Sequence, residues 1–174
     1  MPYFTAKGDK GYSIIGGKKF LKDNIYFEIL GNLDEFNSLL GFVKNFLKDK
    51  KLKAEILEIQ NDFFIIQANV AWLFYPNFKK PELGKEKIKK IEKKIKDIEK
   101  KKPAPSHFVI PGSNLESGIF DYLRTKVRNL ERQMVKFYKK RRFNEDILVY
   151  LNRLSSYFYA LARLKSKKDV KPWY

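Results

Sequence analysis

The sequence predicts an all-α fold: a five-helix bundle, with an up-down four-helix core and one extra helix, behind a glycine-rich N-terminal loop. Three observations predict it. Apolar residues recur at spacings of three and four in five separate segments, the period of helices that bury one stripe. Prolines collect between those segments, where they resist helix. The connections are short, as in a bundle of neighbouring helices. The 174 residues fit one domain, 1–174, large enough to bury a core. A hydrophobic content of 44% with 16% aromatics argues against disorder.

The chain begins differently. "TAKGDKGYSIIGGKKFLKD", residues 5–23, has glycines at 8, 11, 16 and 17, lysines at 7, 10, 18, 19 and 22, and no helical period. A short extended piece, "NIYFEIL", follows. The first helix is expected in "GNLDEFNSLLGFVKNFLK", where Leu33, Phe36, Leu40, Val43 and Leu47 trace one face and Asn32 offers an N-cap. The second spans about Leu52 to Tyr75, with Ile56, Ile59, Phe63, Ile66, Val70 and Leu73 at helical spacing. "YPNFKKPELG" ends it with two prolines. The third helix lies in the lysine-rich stretch 79–102, where Ile88, Ile91, Ile95 and Ile98 form a narrow apolar seam. "KKPAPSHFVIPGSN" is a linker of three prolines and a glycine around the apolar run Phe108-Val109-Ile110. A fourth helix runs from about Asn114 to Lys140 and a fifth from about Asn144 to Lys167. "DVKPWY" closes the chain as a tail.

The net charge of +17 demands a partner or a benign explanation. Residues 79–102 carry 12 of the 37 basic residues against 5 acidic ones. Glu86–Lys90, Glu92–Lys96 and Asp97–Lys101 are spaced as i,i+4 pairs on the helix surface. The run has no interleaved aromatic or arginine, so it reads as a solvated face and not a nucleic-acid groove. No stretch approaches the ~18 consecutive apolar residues of a membrane span. The N-terminus lacks the apolar core of a secretory signal, and there are no cysteines, which together point to the cytoplasm. The fourth helix offers Ile119, Phe120, Leu123, Val127, Leu130, Met134, Val135 and Phe137. An arc that wide packs on two sides, against a second chain or at the centre of a monomer.

Several chemistries are excluded by inventory. There is no G-x-x-x-x-G-K-[ST] phosphate loop. The single histidine, His107, cannot build paired Glu-x-x-His metal ligands or a nucleophilic triad of the usual kind. What remains is anion-binding. In "GDKG" two glycines free the backbone to present consecutive N–H groups, and Lys7, Lys10 and Lys22 add charge. "LRTKVRNLERQ" puts Arg124, Arg128 and Glu131 on one helical face with Arg132 at its edge. Arginines beside a core need carboxylates or a bound polyanion, and for Arg124 the favoured partner is Asp34 or Glu35. "YLNRLSSY" sets Asn152 between leucines, where a buried amide needs a partner.

Taken in order, the T-x-x-G-D-x-G loop, "KD", "LDEFNS", "FVIPG", "LRTxxRxxER" and "YLNRLS" resemble the trimeric ATP:cob(I)alamin adenosyltransferases from Thr5 to about Arg163. The resemblance implies a five-helix bundle assembled as a homotrimer with ATP between subunits. Thr5, Ala6, Lys7, Gly8, Ser13, Ile14 and Lys22 would line the triphosphate. Arg128, Asn129, Glu131 and Arg132 of the facing subunit would complete the site, and Asn152 would hold the nucleotide. Reduced cobalamin is the nucleophile toward C5′ of ATP, so no protein base is needed. Phe108 would face the corrin and help displace its lower axial ligand, and Asp34 and Arg124 match an intersubunit ion pair. Mg2+ would accompany the triphosphate, with Glu131 as its nearest carboxylate. A reductase or a cobalamin-dependent mutase is the implied protein partner. Lys7, Lys19, Asn129 and Ser113 depart from the family's usual residues. A second reading is a basic helical module that binds nucleic acid or a protein partner on the same scaffold without the chemistry. Retention of Arg128, Glu131, Arg132 and Asn152 together favours the enzyme.

Overall fold

A computed structural model describes residues 2–15 and 17–174; Gly16 of the N-terminal loop lies outside the described residues. The described elements are a hairpin, β1 (Tyr12–Ile15) and β2 (Lys18–Leu21), and five helices: α1 (Ile25–Lys44), α2 (Lys50–Trp72), α3 (Lys85–Glu99), α4 (Leu115–Lys140) and α5 (Asp146–Lys165). The strands are antiparallel, with Tyr12 opposite Leu21 and Ile15 opposite Lys18. Gly17 follows at φ 76°, in the left-handed region that favours glycine in such a turn.

Local chemistry sets the helix ends. Asn24 caps α1 by accepting from the Tyr26 N–H at 3.1 Å. Asp49 caps α2 by accepting from Lys51 and Leu52, and Asn114 caps α4 by accepting from Ser117 at 3.0 Å. The cap at Asn24 corrects two expectations. "NIYFEIL" is the first two turns of α1 and not an extended piece, and Asn32 lies within that helix. Ile29 is buried one helical turn before Leu33, so the apolar stripe itself carries the helix back to Asn24.

α5 packs against α4 and α3, while α1 packs against α2 and α4. α4 and α5 are therefore flanked on two sides. Six α4 residues, Phe120, Leu123, Val127, Leu130, Met134 and Phe137, are buried at alternating spacings of three and four. Ile119 is only half-buried and Val135 is exposed, so α1 and α5 consume most of the wide apolar arc within one chain. Large solvent-facing apolar side chains also occur on α1 and α2, among them Phe42, Leu57 and Phe64.

The lysine-rich helix docks through charge as well as through Ile88, Ile91 and Ile98. Lys87, Lys90 and Lys94 meet Asp62, Glu58 and Glu55 of α2 at 2.5, 2.8 and 3.3 Å. The two sets share the spacing i, i+3, i+7, so each forms one stripe and the stripes face each other. The expected i,i+4 pairs within α3 are not among the described ion pairs. Lys90 is taken by Glu58 and Glu92 by Arg153, because the neighbouring helices bring carboxylate and guanidinium closer. Beneath this ladder Tyr150 donates to Asp62 at 2.8 Å and Tyr157 donates to Glu55. Burial, then the adjacent carboxylate, pushes both phenols above their usual range, so they remain neutral donors. No helix among the described residues is long and apolar enough to cross a membrane.

Candidate functional site

A cleft of about 520 Å³ opens where the linker between α3 and α4 passes over the bundle. α3 contributes Ile95, Ile98 and Glu99, and α4 contributes Arg124 and Arg128. α5 contributes Ser155, Ser156, Tyr159, Ala160 and Arg163, and the linker supplies Phe108 and Val109. An apolar lining with a few converging charged groups is the usual form of a small-molecule site. Phe108 is 79% exposed, although a phenylalanine gains about 1.5–3 kcal/mol by burial. Its ring stands at the cleft with little protein over it.

The two α4 arginines that line the cleft, Arg124 and Arg128, are without ion-pair partners among the described residues, and Nε of Arg124 is buried without a hydrogen-bond partner. The expected intrachain pair of Arg124 with Asp34 or Glu35 does not form. Glu35 is bound by Lys126 at 2.6 Å, and Asp34 is exposed on α1 without a described ion pair. Arg124 instead lies 5.7 Å from the ring centre of Tyr159, and Arg163 lies 5.4 Å from the same ring. Both guanidinium groups are thus within cation–π reach of the Tyr159 ring, an arrangement its quadrupole favours.

Arg163 is the least legible residue of this lining in sequence. It is 3% exposed and binds Asp121 at 2.6 Å and Asp169 at 2.9 Å. Lys102 binds the other oxygen of Asp169 at 3.1 Å. Burial raises the Asp169 carboxyl, but hydrogen bonds from Lys102 and Ser166 and the charges of Lys102 and Arg163 outweigh it. The group is held below the usual carboxylate range. The one visible signal in the sequence was an arginine following Leu161 and Ala162 on a buried face. Tyr159, Lys102, Ser155 and Ser156 were likewise not foreseen, since nothing in their local sequence separates them from packing residues.

The remaining candidates fall into separate groups. Asn152 finds its partner inside the chain: its Nδ2 donates to Glu131 at 2.9 Å, and its oxygen accepts from Arg153. Glu131 keeps its second carboxylate oxygen without a described partner. Arg132 donates to Asn129 at 3.1 Å. Thr5, Ala6, Lys7 and Gly8 belong to the turn before β1, while Ser13 and Ile14 lie on β1 itself. Ala6 has φ 54°, a conformation that costs a residue with a Cβ about 1 kcal/mol. Gly8 is needed for proximity. A Cβ there would stand 2.9 Å from Nζ of Lys22, so the ammonium lies directly over the turn.

The hairpin is far from the cleft within one chain. Phe20 packs on Phe27 and Phe74, and Tyr26 reaches Phe137 near the end of α4. Phe137 is nine residues past Arg128, or about 13 Å along the helix. One chain therefore groups Phe108, Arg124 and Arg128, groups Glu131 with Asn152, and keeps the basic turn at another end. No cluster of three potential metal-binding side chains occurs among the described residues.

Comparison with known proteins places this arrangement. Residues 3–165 match the family described as Cobalamin adenosyltransferase. The chain is 32% identical over 173 residues to a corrinoid adenosyltransferase of Bacillus subtilis, covering 97% of this chain and 89% of that protein. It is 30% identical to one from Citrobacter freundii, covering 93% of each. Among solved structures, a variant PduO-type ATP:corrinoid adenosyltransferase from Lactobacillus reuteri complexed with cobalamin and ATP superimposes with a TM-score of 0.86. That match has 29% identity and covers 94% of this chain and 90% of the other.

Proposed function

The chain belongs to the cobalamin adenosyltransferase family, and from that membership we infer that it transfers the 5′-deoxyadenosyl group of ATP to the cobalt of a reduced corrinoid. A cobalt–carbon bond forms at C5′, the bond from C5′ to the triphosphate oxygen breaks, and triphosphate leaves with that electron pair. The nucleophile is the substrate's own cobalt. This agrees with a cleft that sets Arg124 and Arg128 beside Phe108, groups suited to neutralising and positioning a substrate.

The chain's residues then have positional and electrostatic roles. Phe108 faces the corrin, excludes water and helps displace the lower axial ligand, which eases reduction to cobalt(I). Arg128 stabilises charge on the departing triphosphate, an effect that holds its value where solvent is excluded. Thr5, Ala6, Lys7 and Gly8 of the basic turn, Ser13 and Ile14 of β1 and Lys22 after β2 cradle the phosphates. Asn129, Glu131, Arg132 and Asn152 complete the nucleotide site, with Glu131 preset by its hydrogen bond from Asn152. The free oxygen of Glu131 could donate one bond to Mg2+, whose other ligands would be phosphate oxygens and water.

The reading carries an assembly. The turn and Arg128 stand apart in one chain, and Asp34 and Arg124 each lack an ion-pair partner there, so we assign the ATP site to the contact between subunits of a homotrimer. The reaction is placed in the cytoplasm, with a reductase supplying cobalt(I) and a cobalamin-dependent mutase receiving the product. The observation that carries the function is the exposed Phe108 beside two unpaired arginines on one cleft. The direct test mixes the protein with ATP and chemically reduced cobalamin and measures triphosphate and alkylated cobalamin. Equal yields are expected; cobalt(I) consumption without triphosphate release would end this reading. A nucleic-acid role is disfavoured because Lys87, Lys90 and Lys94 are held by α2 carboxylates. Sub-micromolar DNA binding with a steep salt slope at physiological salt would restore it.

A further inference from the structure

The linker that carries Phe108 has no helix or strand of its own, yet its ring must be held at a defined place to act on cobalt. Its anchors lie on α4, at the end of α5 and in the segment after it. The Ile110 N–H donates to the Val170 carbonyl at 2.8 Å. The Gly112 N–H, at a residue with φ 84°, donates to Asp121 at 3.0 Å on the oxygen that also receives Arg163. Asn114 donates to the Lys165 carbonyl at 2.7 Å while capping α4.

Ser113 has a defined place in this arrangement. Its hydroxyl stands 2.8 Å from that of Ser166, within hydrogen-bond distance, and the Ser166 hydroxyl also reaches the Lys168 carbonyl at 3.0 Å. Ser113 in turn accepts from the Lys167 N–H at 3.2 Å. On the other side of the linker, Lys102 reaches Asp169. Residues 166–170 therefore tie together both ends of the Phe108 segment, and Arg163, bound to Asp121 and Asp169 at once, is the buried pivot. A buried ion pair contributes little net stability against an apolar replacement, so this one is better explained by the geometry it imposes.

We propose that residues 166–170, held by Arg163 through Asp169 and by Ser113, form a clasp that positions Phe108 against the corrin. Arg163, Asp169 and Ser113 are thus positioning residues for cobalt activation. The inference rests on the assignment of Phe108 to the corrin. Removing the clasp lets the linker drift while the arginines and the basic turn stay in place. Its loss acts on the corrinoid and not on ATP.

The test compares Asp169→Ala and Ser113→Ala with Phe108→Ala and with each double variant. The cobalt(II) corrinoid is bound with ATP present, and its axial ligation is read by visible and electron-spin spectra. Nucleotide affinity is read by calorimetry and the fold by melting. Both clasp variants should lower the fraction of corrinoid without its lower ligand and raise corrinoid KM severalfold, with ATP affinity unchanged. Added to Phe108→Ala, they should change nothing further, because they act through that ring. A Phe108→Ala spectrum that changes while both clasp variants match the parent would overturn the clasp alone, as would fully additive double variants. A Phe108→Ala spectrum identical to the parent would overturn the corrin assignment and the clasp with it. Ser113→Ala removes one hydroxyl from a half-buried site, so it keeps the test open should Asp169→Ala unfold.

Discussion

Two faces of this bundle handle charge in opposite ways. Where α2, α3 and α5 meet, Lys87, Lys90 and Lys94 each have a carboxylate, and each buried phenol has an acceptor. Where α4 meets the linker, Arg124 and Arg128 have none, and Phe108 projects into solvent beside them. Both faces are basic in sequence. The difference teaches that charge density alone does not locate function in this chain. A paired lysine ladder reads as docking, whereas arginines left unpaired beside a core read as waiting for a ligand or another subunit.

The largest expected effect breaks the open face. Arg128→Ala should lower turnover about a hundredfold, the ~3 kcal/mol typical of losing one donor to a developing charge. Melting temperature and the sedimentation of the assembly should stay as in the parent. Parent-like turnover would place the leaving-group contact elsewhere. The same sedimentation run checks the trimer, since a stable monomer at micromolar concentration would remove the intersubunit site.

The closed face should respond in stability instead. Asp62→Ala leaves the Tyr150 hydroxyl buried without its acceptor and frees Lys87. An orphaned buried donor costs about 1–3 kcal/mol, and denaturant titration should show a loss in that range. Turnover per folded molecule should not change. A variant that kept its stability but lost activity would erase the distinction drawn between the faces.

Much of this division was legible in the residues, and the failures have physical causes. The apolar periods located all five helices, and Asn114 stood visibly before α4. The start of α1 was missed because Ile25, Tyr26, Phe27 and Ile29 favour strand by propensity. Burial of Ile29 in register with Leu33 overrides that local preference. The hairpin was missed because four-residue strands beside glycines give too few alternations to see. Phe108, Arg124 and Arg128 share one cleft, but Arg163 joins them through Asp121, 42 residues earlier. No local spacing encodes such a partner. Two of the i,i+4 pairs expected in α3 lose a partner to α2 or α5, since Lys90 binds Glu58 and Glu92 binds Arg153, contacts that become available only once helices pack.

A smaller effect sharpens the comparison at the basic turn. Gly8→Ala would place a methyl 2.9 Å from the Lys22 ammonium. The end of a lysine moves cheaply, so folding should be unaffected. ATP affinity should fall a few-fold by calorimetry as the charge leaves the turn. Unchanged ATP affinity, with Lys22 displaced, would remove that ammonium from the phosphate site.

The smallest effect belongs to the middle and most exposed rung of the lysine ladder. Lys90 and Glu58 meet at 2.8 Å with side chains 56% and 51% exposed. The hydrogen bond from Lys90 is the main cause that lowers the Glu58 carboxyl, and it outweighs burial. A carboxyl whose folded pKa is depressed contributes stability above its unfolded pKa of about 4.3 and loses it as pH falls through the folded value. Exposed pairs of this kind contribute about 0.2–1 kcal/mol, and screening by water places this one at the low end. Glu58→Gln should therefore shift denaturant midpoints barely at pH 7, less still at high salt, and not at all well below the folded pKa of Glu58. Turnover should match the parent throughout. The Lys87–Asp62 rung provides the control, because Asp62 carries a buried phenol and Glu58 does not. A Glu58→Gln loss as large as that of Asp62→Ala would mean the ladder works as one network, and the stability of the closed face would then rest on its charges and not on the phenols beneath them.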